Sequence, residues 1–225
     1  MTQRSTVWTQ WLRHRLPAPR QLLMYAAGCV LFSIGAKFFI DARLGTDPLD
    51  VLVIGMNHYL QLGMGGCSAI VAVVLLTWWV LWNRRFPPLM PFVTTAAVGY
   101  LIDLWNWLRI ERYTAIPDAP LVQVVLGLIL CAYASSLIIM SGVGIRIMDL
   151  VAITMMEKLG YSFFRAKMTL EISLFATGWL LGGPVGVATV MFLFLVGPLI
   201  QPFIALNSSV MRWKNFGFER ATSQG

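Results

Sequence analysis

The residues best equipped for chemistry in this sequence are acids placed beside arginine in otherwise apolar surroundings. The stretch RLGTDPLDVLVIGMNHYLQLG, residues 43–63, carries Thr46, Asp47 and Asp50. The stretch GIRIMDL, residues 144–150, carries Arg146 and Asp149. Asp47 suits the N-cap of a helix, because its carboxylate accepts N–H groups that have no partner in the first turn. Pro48 suits the next position, where a missing N–H leaves nothing unpaired. Asp50 and Asp149 fall in the first turn, where negative charge meets the positive end of the helix. One reading is simple helix-start chemistry. The other is a pair of carboxylates at a substrate site, with Arg146 as counter-charge. The two are compatible, since a cap can also frame a site.

Four further polar residues stand in apolar runs. Charge in hydrocarbon costs on the order of 2.5–3.5 kcal/mol on insertion scales, so such groups face protein or water. Lys37 can pair with Asp41, with Asp50, or snorkel to the outer surface. Asp103 is read either as a polar group beside the central site or as an interfacial acid in the belt of Trp105 and Trp107; Gln201 occupies the corresponding place in the second half of the chain. Glu171, four residues after Lys167, is either half of a helical ion pair or a buried proton-binding carboxylate. Substrate binding is therefore expected of Thr46, Asp47, Asp50, Asp103, Arg146, Asp149 and Gln201, and coupling or ion pairing of Lys37 and Glu171.

Other chemistry finds no support. The histidines are His14 and His58, and the cysteines Cys29, Cys67 and Cys131 lie in or at apolar segments. None forms a cluster with metal-ligand spacing, so neither a metal nor a cofactor is expected. Without a nucleophile motif or a phosphate loop, two acids do not make an enzyme.

The elements that carry these residues follow from composition. Of 225 residues, 58% are hydrophobic and 12% charged, and mean hydropathy is +0.72. Soluble domains carry roughly 25% charged residues. Charge this sparse, with continuous apolar runs of about 20 residues, predicts helices that cross a bilayer and not a β-barrel, whose strands alternate. The net charge of +7 does not indicate nucleic acid, because Lys and Arg sit at span ends.

Six spans are predicted, at 21–41, 66–83, 88–108, 120–141, 165–182 and 185–206, with Pro- and Gly-rich joints at NRRFPP, ERYTAIPDAP and GGP. Two amphipathic segments, 47–61 and 147–160, are too short to cross. Residues 1–20 form a basic segment, read as an interfacial helix around Trp8, Trp11 and Leu12 or as a frayed tail; the apolar run after it exceeds a signal-peptide core and is read as an uncleaved span. Residues 207–225 form a second basic tail. Segment 41–64 has a net charge of −2 and segment 142–168 a net of +2. Six crossings with both termini in the cytoplasm place the Lys/Arg excess inside at every loop.

The chain also repeats. Gly45 and Asp50 match Gly144 and Asp149 at an offset of 99, and GYLID at 99–103 matches GPLIQ at 197–201. Each unit, 21–110 and 119–206, reads as span, short helix, span, span. Three crossings are odd in number, so the second copy enters from the opposite side. Inverted repeats with interrupted helices meeting near the midplane recur in transporters.

Gly-Thr-x-Pro-x-Asp before a short helix, the second Gly…Asp, and GGPVGVAT before GPLIQ resemble the YczE/YitT-like group of bacterial integral membrane proteins, over about residues 21–205. Leu49 stands where that pattern usually has an aromatic residue, and Ile147 where it usually has Pro. The resemblance implies the fold and a bacterial inner-membrane location. It implies no settled activity. The expected function is a secondary transporter or permease for a small solute, the alternative a membrane scaffold or regulator acting through a protein. Expected partners are the lipid bilayer and a small molecule or ion, with self-association left open and no nucleic acid.

Overall fold

The computed structural model describes residues 17–86, 88–110 and 119–209. The basic N-terminal segment up to residue 16, most of the 111–120 joint and the tail from 210 lie outside them. All regular elements among the described residues are helical. In chain order they are α1 (Pro19–Ala42), α2 (Pro48–Leu60), α3 (Gly63–Asn83), α4 (Met90–Leu108), α5 (Pro120–Ser141), α6 (Ile147–Leu159), α7 (Phe163–Leu180), α8 (Val187–Met191) and α9 (Gly197–Ser209). A π-helical turn, Phe192–Val196, joins α8 to α9, so that Val187–Ser209 runs on as one helix.

Four helices are long and apolar enough to cross a membrane: α1, α3, α5 and Val187–Ser209. Their surfaces agree with that role. Leu22, Leu23, Val73, Val74, Leu81, Leu121 and Phe194 are all exposed, more large apolar surface than a protein keeps in water. The remaining two expected spans form helices of 19 residues (α4) and 18 residues (α7), with Asp103 in the first and Lys167 and Glu171 in the second lowering their hydropathy. The short segments form two 13-residue helices, α2 and α6.

The centre of the fold is the contact between α1 and α5. The Gln21 side-chain amide donates to the Ser141 carbonyl at 3.1 Å, and the Cys131 thiol to the Phe32 carbonyl at 3.8 Å. Low numbers on one helix thus meet high numbers on the other, which makes the pair antiparallel. Small residues permit the approach: a Cβ on Gly35 would stand 3.0 Å from the Gly127 carbonyl oxygen, and one on Gly28 3.1 Å from that of Ala134. Between membrane helices such close packing supplies the attraction that the hydrophobic effect provides in water.

The short helices are held just as closely. A Cβ on Gly183 would lie 2.1 Å from the Val51 carbonyl oxygen, and one on Gly178 2.5 Å from the Leu52 nitrogen. These glycines let α2 rest against α7 and the turn after it. The loop ahead of α2 docks on the start of α8, where the Ala188 N–H donates to the Leu44 carbonyl at 2.9 Å. Gly45, at φ +100, turns the chain there in a conformation that favours glycine. The π turn widens the following helix and seats Phe192 edge-on against Phe39, with ring centres 5.8 Å apart.

Candidate functional site

The first turns of α2 and α6 face each other. Asp47, the N-cap of α2, accepts the Leu49 N–H at 2.7 Å through Oδ1. Its Oδ2 accepts from Arg146 Nη1 at 2.8 Å. Arg146 is the residue immediately before α6, so one residue caps its own helix and grips the start of the other. Arg146 has no side-chain oxygen with which to cap α6. That role falls to Thr95 of α4, whose Oγ1 accepts the Ile147 N–H at 3.2 Å. A threonine does the same on the other side, where Thr189 Oγ1 of α8 accepts the Thr46 N–H at 3.1 Å.

Arg146 is 5% exposed and is held from three directions. Besides Asp47, its Nε lies 3.7 Å from Asp149 Oδ2, and its guanidinium stands 4.6 Å from the centre of the Phe32 ring on α1. The planar, delocalised cation suits this mixture of carboxylate and aromatic neighbours. From α7, Lys167 Nζ donates to Asp149 Oδ1 at 2.9 Å and stands 3.5 Å from Glu171 Oε1. The result is a chain of charges, buried at Asp47, Arg146 and Glu171 and half-buried at Asp149 and Lys167.

Some capacity in this chain is unused. Thr46 Oγ1, Asp50 Oδ2 and both carboxylate oxygens of Glu171 are buried without a hydrogen bond. Asp50 lies within coulombic reach of Asp47 and Arg146, with Thr46 beside it. Glu171 lies within reach of Lys167, Asp47, Arg146 and Asp149. A buried polar group without a partner costs on the order of 1–3 kcal/mol, and a charged one more, so four such atoms around one arginine are an expensive arrangement for a purely structural core.

Six of the nine expected residues therefore come together: Thr46, Asp47, Asp50, Arg146, Asp149 and Glu171. Lys37 pairs with Asp41 on its own helix. Asp103 caps α3, its two oxygens accepting the N–H groups of Met64 at 2.8 Å and Gly65 at 2.7 Å. Gln201 is exposed on α9. Neither Asp103 nor Gln201 joins the cluster. Lys167, Phe32, Thr95 and Thr189 were not expected in it. Lys167 carries a signal in its charge four residues before Glu171, whereas an apolar ring and two threonines in apolar helices carry none. Among the described residues no three His, Cys, Asp or Glu side chains come together to hold a metal ion.

Comparison with known proteins agrees with this reach of the fold. YczE of Bacillus subtilis (strain 168), described as an uncharacterized membrane protein, is 23% identical over 180 residues, 79% of this chain and 82% of the relative. YyaS of the same organism, an uncharacterized protein, is 24% identical over 188 residues, 82% of this chain and 92% of the relative. An uncharacterized protein of Haemophilus influenzae is 23% identical over 187 residues, 81% and 82% of the two chains. No solved structure matches. The YczE-like resemblance read from the motifs holds, and the apolar helices and the YczE relative agree that this is a membrane protein. A family profile covers residues 19–205, from the first residue of α1 into α9 and across the whole charged cluster, and the chain belongs to that family, the family of unknown function DUF6198.

Proposed function

We propose that the protein is a multi-pass secondary transporter or permease of the bacterial inner membrane, moving a small solute past the tips of α2 and α6. In this reading α4 and α7 also cross the bilayer, giving six spans in two inverted units, 21–110 and 119–206, with both termini in the cytoplasm. The antiparallel packing of α1 on α5 supports the inversion, because equivalent spans of inverted units run in opposite directions. So does the equal length, 13 residues each, of α2 and α6. Lys167 and Glu171 of α7 turn towards Arg146 and Asp149 at the start of α6, which allows charge and non-helical backbone at membrane depth.

The observation that carries the proposal is the buried cluster where the two short helices begin, with its unpartnered oxygens at Thr46, Asp50 and Glu171. A site that binds and releases a ligand keeps such capacity open; a structural core closes it.

The test is reconstitution. Purified protein is screened by thermal shift against metabolites and ions, since a ligand of the folded form raises the melting point. Solutes that stabilise it are then assayed for flux in proteoliposomes, with Asp50→Asn as the comparison. Flux through the wild type and its loss in a folded Asp50→Asn variant is the expected result. Flux undiminished in that variant would remove Asp50 from the path. Co-purification with one stoichiometric protein and no flux of any stabilising solute would replace the proposal with a scaffold role.

A further inference from the structure

We infer that the cluster between α2 and α6 binds a singly charged cation, which makes positive charge the species this site takes up on the proposed transport path. The first ground is the kind of capacity left open. Asp50 Oδ2 and Glu171 Oε1 and Oε2 are acceptors, and Thr46 Oγ1 can accept as well. The cations already lie against carboxylates, Arg146 Nη1 on Asp47 and Lys167 Nζ on Asp149, and the N–H groups of Thr46, Leu49 and Ile147 donate to Thr189, Asp47 and Thr95. An anion arriving here would meet those carboxylates beside each cation.

The second ground is charge. Asp47, Asp50, Asp149 and Glu171 face Arg146 and Lys167, four carboxylates against two cations. The starts of α2 and α6 each add roughly half a positive charge. With all four carboxylates ionised the site is then short by about one positive charge, which a bound cation or a proton on one of them supplies. Glu171 is the group most in need of it, at 1% exposure with neither oxygen hydrogen-bonded and Lys167 Nζ at 3.5 Å. Lys167 leans instead to Asp149 at 2.9 Å. Among the described residues no three His, Cys, Asp or Glu side chains come together to hold a metal ion, and a deficit of one charge matches a singly charged ligand.

A proton, an alkali ion and a small ammonium-type solute share this chemistry, and separate arms of one thermal-shift experiment tell them apart. Wild-type protein in detergent is titrated with sodium, potassium or methylammonium chloride against N-methylglucamine chloride at constant ionic strength and pH, and in a parallel arm with acid at constant salt. A third arm replaces chloride with acetate, phosphate or sulfate at constant cation. The expected result is a saturable rise of about 5 °C at ligand well above its Kd for one cation or for acid, lost in Glu171→Gln or Asp50→Asn. In N-methylglucamine buffer at neutral pH, folded Glu171→Gln melts at or above the wild type, because the amide removes a buried charge that has no hydrogen bond and only Lys167 at 3.5 Å.

A saturable rise with an anion at constant cation overturns the inference. So does a wild type indifferent to all cations and to acid, which decides the matter even where the variants fail to fold. The inference rests on the transport reading only for its place on a path, and the two fail separately. Cation stabilisation without flux in proteoliposomes ends the transport reading and keeps the cation site; flux of an anion does the reverse.

Discussion

Asp47 and Arg146, ninety-nine positions apart, stand at the same place ahead of two 13-residue helices and bond to each other at 2.8 Å. Phe32 and Cys131 share that separation and also touch, the thiol donating to the carbonyl. The two pairs come together at one guanidinium: Asp47 accepts from Arg146, and the Phe32 ring lies against it.

Arg146 is accordingly the residue whose loss costs most. Arg146→Ala leaves Asp47 and Asp149 buried without their shared cation, and the expected loss is about 3–5 kcal/mol. Arg146→Lys keeps the charge but cannot reach both carboxylates while lying against Phe32, and loses about half as much. Unfolding of purified protein followed by tryptophan fluorescence measures both; a lysine variant as stable as the wild type would show that the fork geometry is idle.

Asp47 does two jobs that substitution can separate. Asp47→Asn keeps an oxygen for the Leu49 N–H and loses only the ion pair. Asp47→Ala loses both, and is expected to be about 1 kcal/mol less stable than the asparagine variant, the usual worth of an N-cap. Equal stabilities would mean that the cap adds nothing beside the ion pair.

Much of this was legible in the sequence. The boundaries of the apolar runs fall within a few residues of the helices, because an apolar stretch of about 20 residues has few other folds available in lipid. Both short helices, and the acids and arginine at their starts, were readable from the GTDPLDV and GIRIMDL motifs. The mate of Asp50 by offset is Asp149, yet the pair that bonds is Asp47 with Arg146, which the same offset relates; the sequence offers Arg146 as counter-charge to Asp50 and Asp149 without naming Asp47 as its partner. Asp103 and Gln201 are likewise matched by sequence, and neither reaches the cluster. A shared offset does not say which matched residues the fold brings together. Lys167 was assigned to Glu171 four residues on, whereas its shorter contact is Asp149, 18 positions back on another helix. Local spacing cannot rank a partner brought in by the fold.

The place of Asp103 has its own consequence. Its carboxylate accepts the Met64 and Gly65 N–H groups from across the α3–α4 contact, so Asp103→Ala is expected to cost about 1–2 kcal/mol in stability. Because it lies outside the cluster, the folded variant retains the ligand affinity of the wild type in the thermal-shift titration, in contrast to Asp50→Asn. A loss of binding comparable to that of Asp50→Asn would draw Asp103 into the site.

Backbone approach sets the limit on change at the α2–α7 contact. In Gly183→Ala the new methyl would meet the Val51 carbonyl oxygen at 2.1 Å, and a carbonyl inside a helix cannot turn aside. Destabilisation of about 3 kcal/mol follows. Gly197→Ala, with nothing within 4 Å of the added atom, serves as the control and stays within about 0.5 kcal/mol of the wild type. If the two variants melt together, α2 is not seated on α7 as described.

The inversion itself is open to a direct test. Leu62, just after α2, and Tyr161, just after α6, are both well exposed, while the native Cys29, Cys67 and Cys131 are buried. Single cysteines placed at 62 and 161 in a background with the native three replaced by serine or alanine are treated with a membrane-impermeant maleimide, once in intact spheroplasts and once in inside-out vesicles. Two units of three crossings each put α2 and α6 at opposite faces, so position 62 is expected to label only from outside and position 161 only from the cytoplasm. If α4 failed to cross, the count of crossings between the two positions would become even and both would label from the same side. That outcome would undo the six-span arrangement while leaving the Asp47–Arg146 contact intact, because the contact needs only that the helix starts meet, and not that the chain reach them from opposite sides of the bilayer.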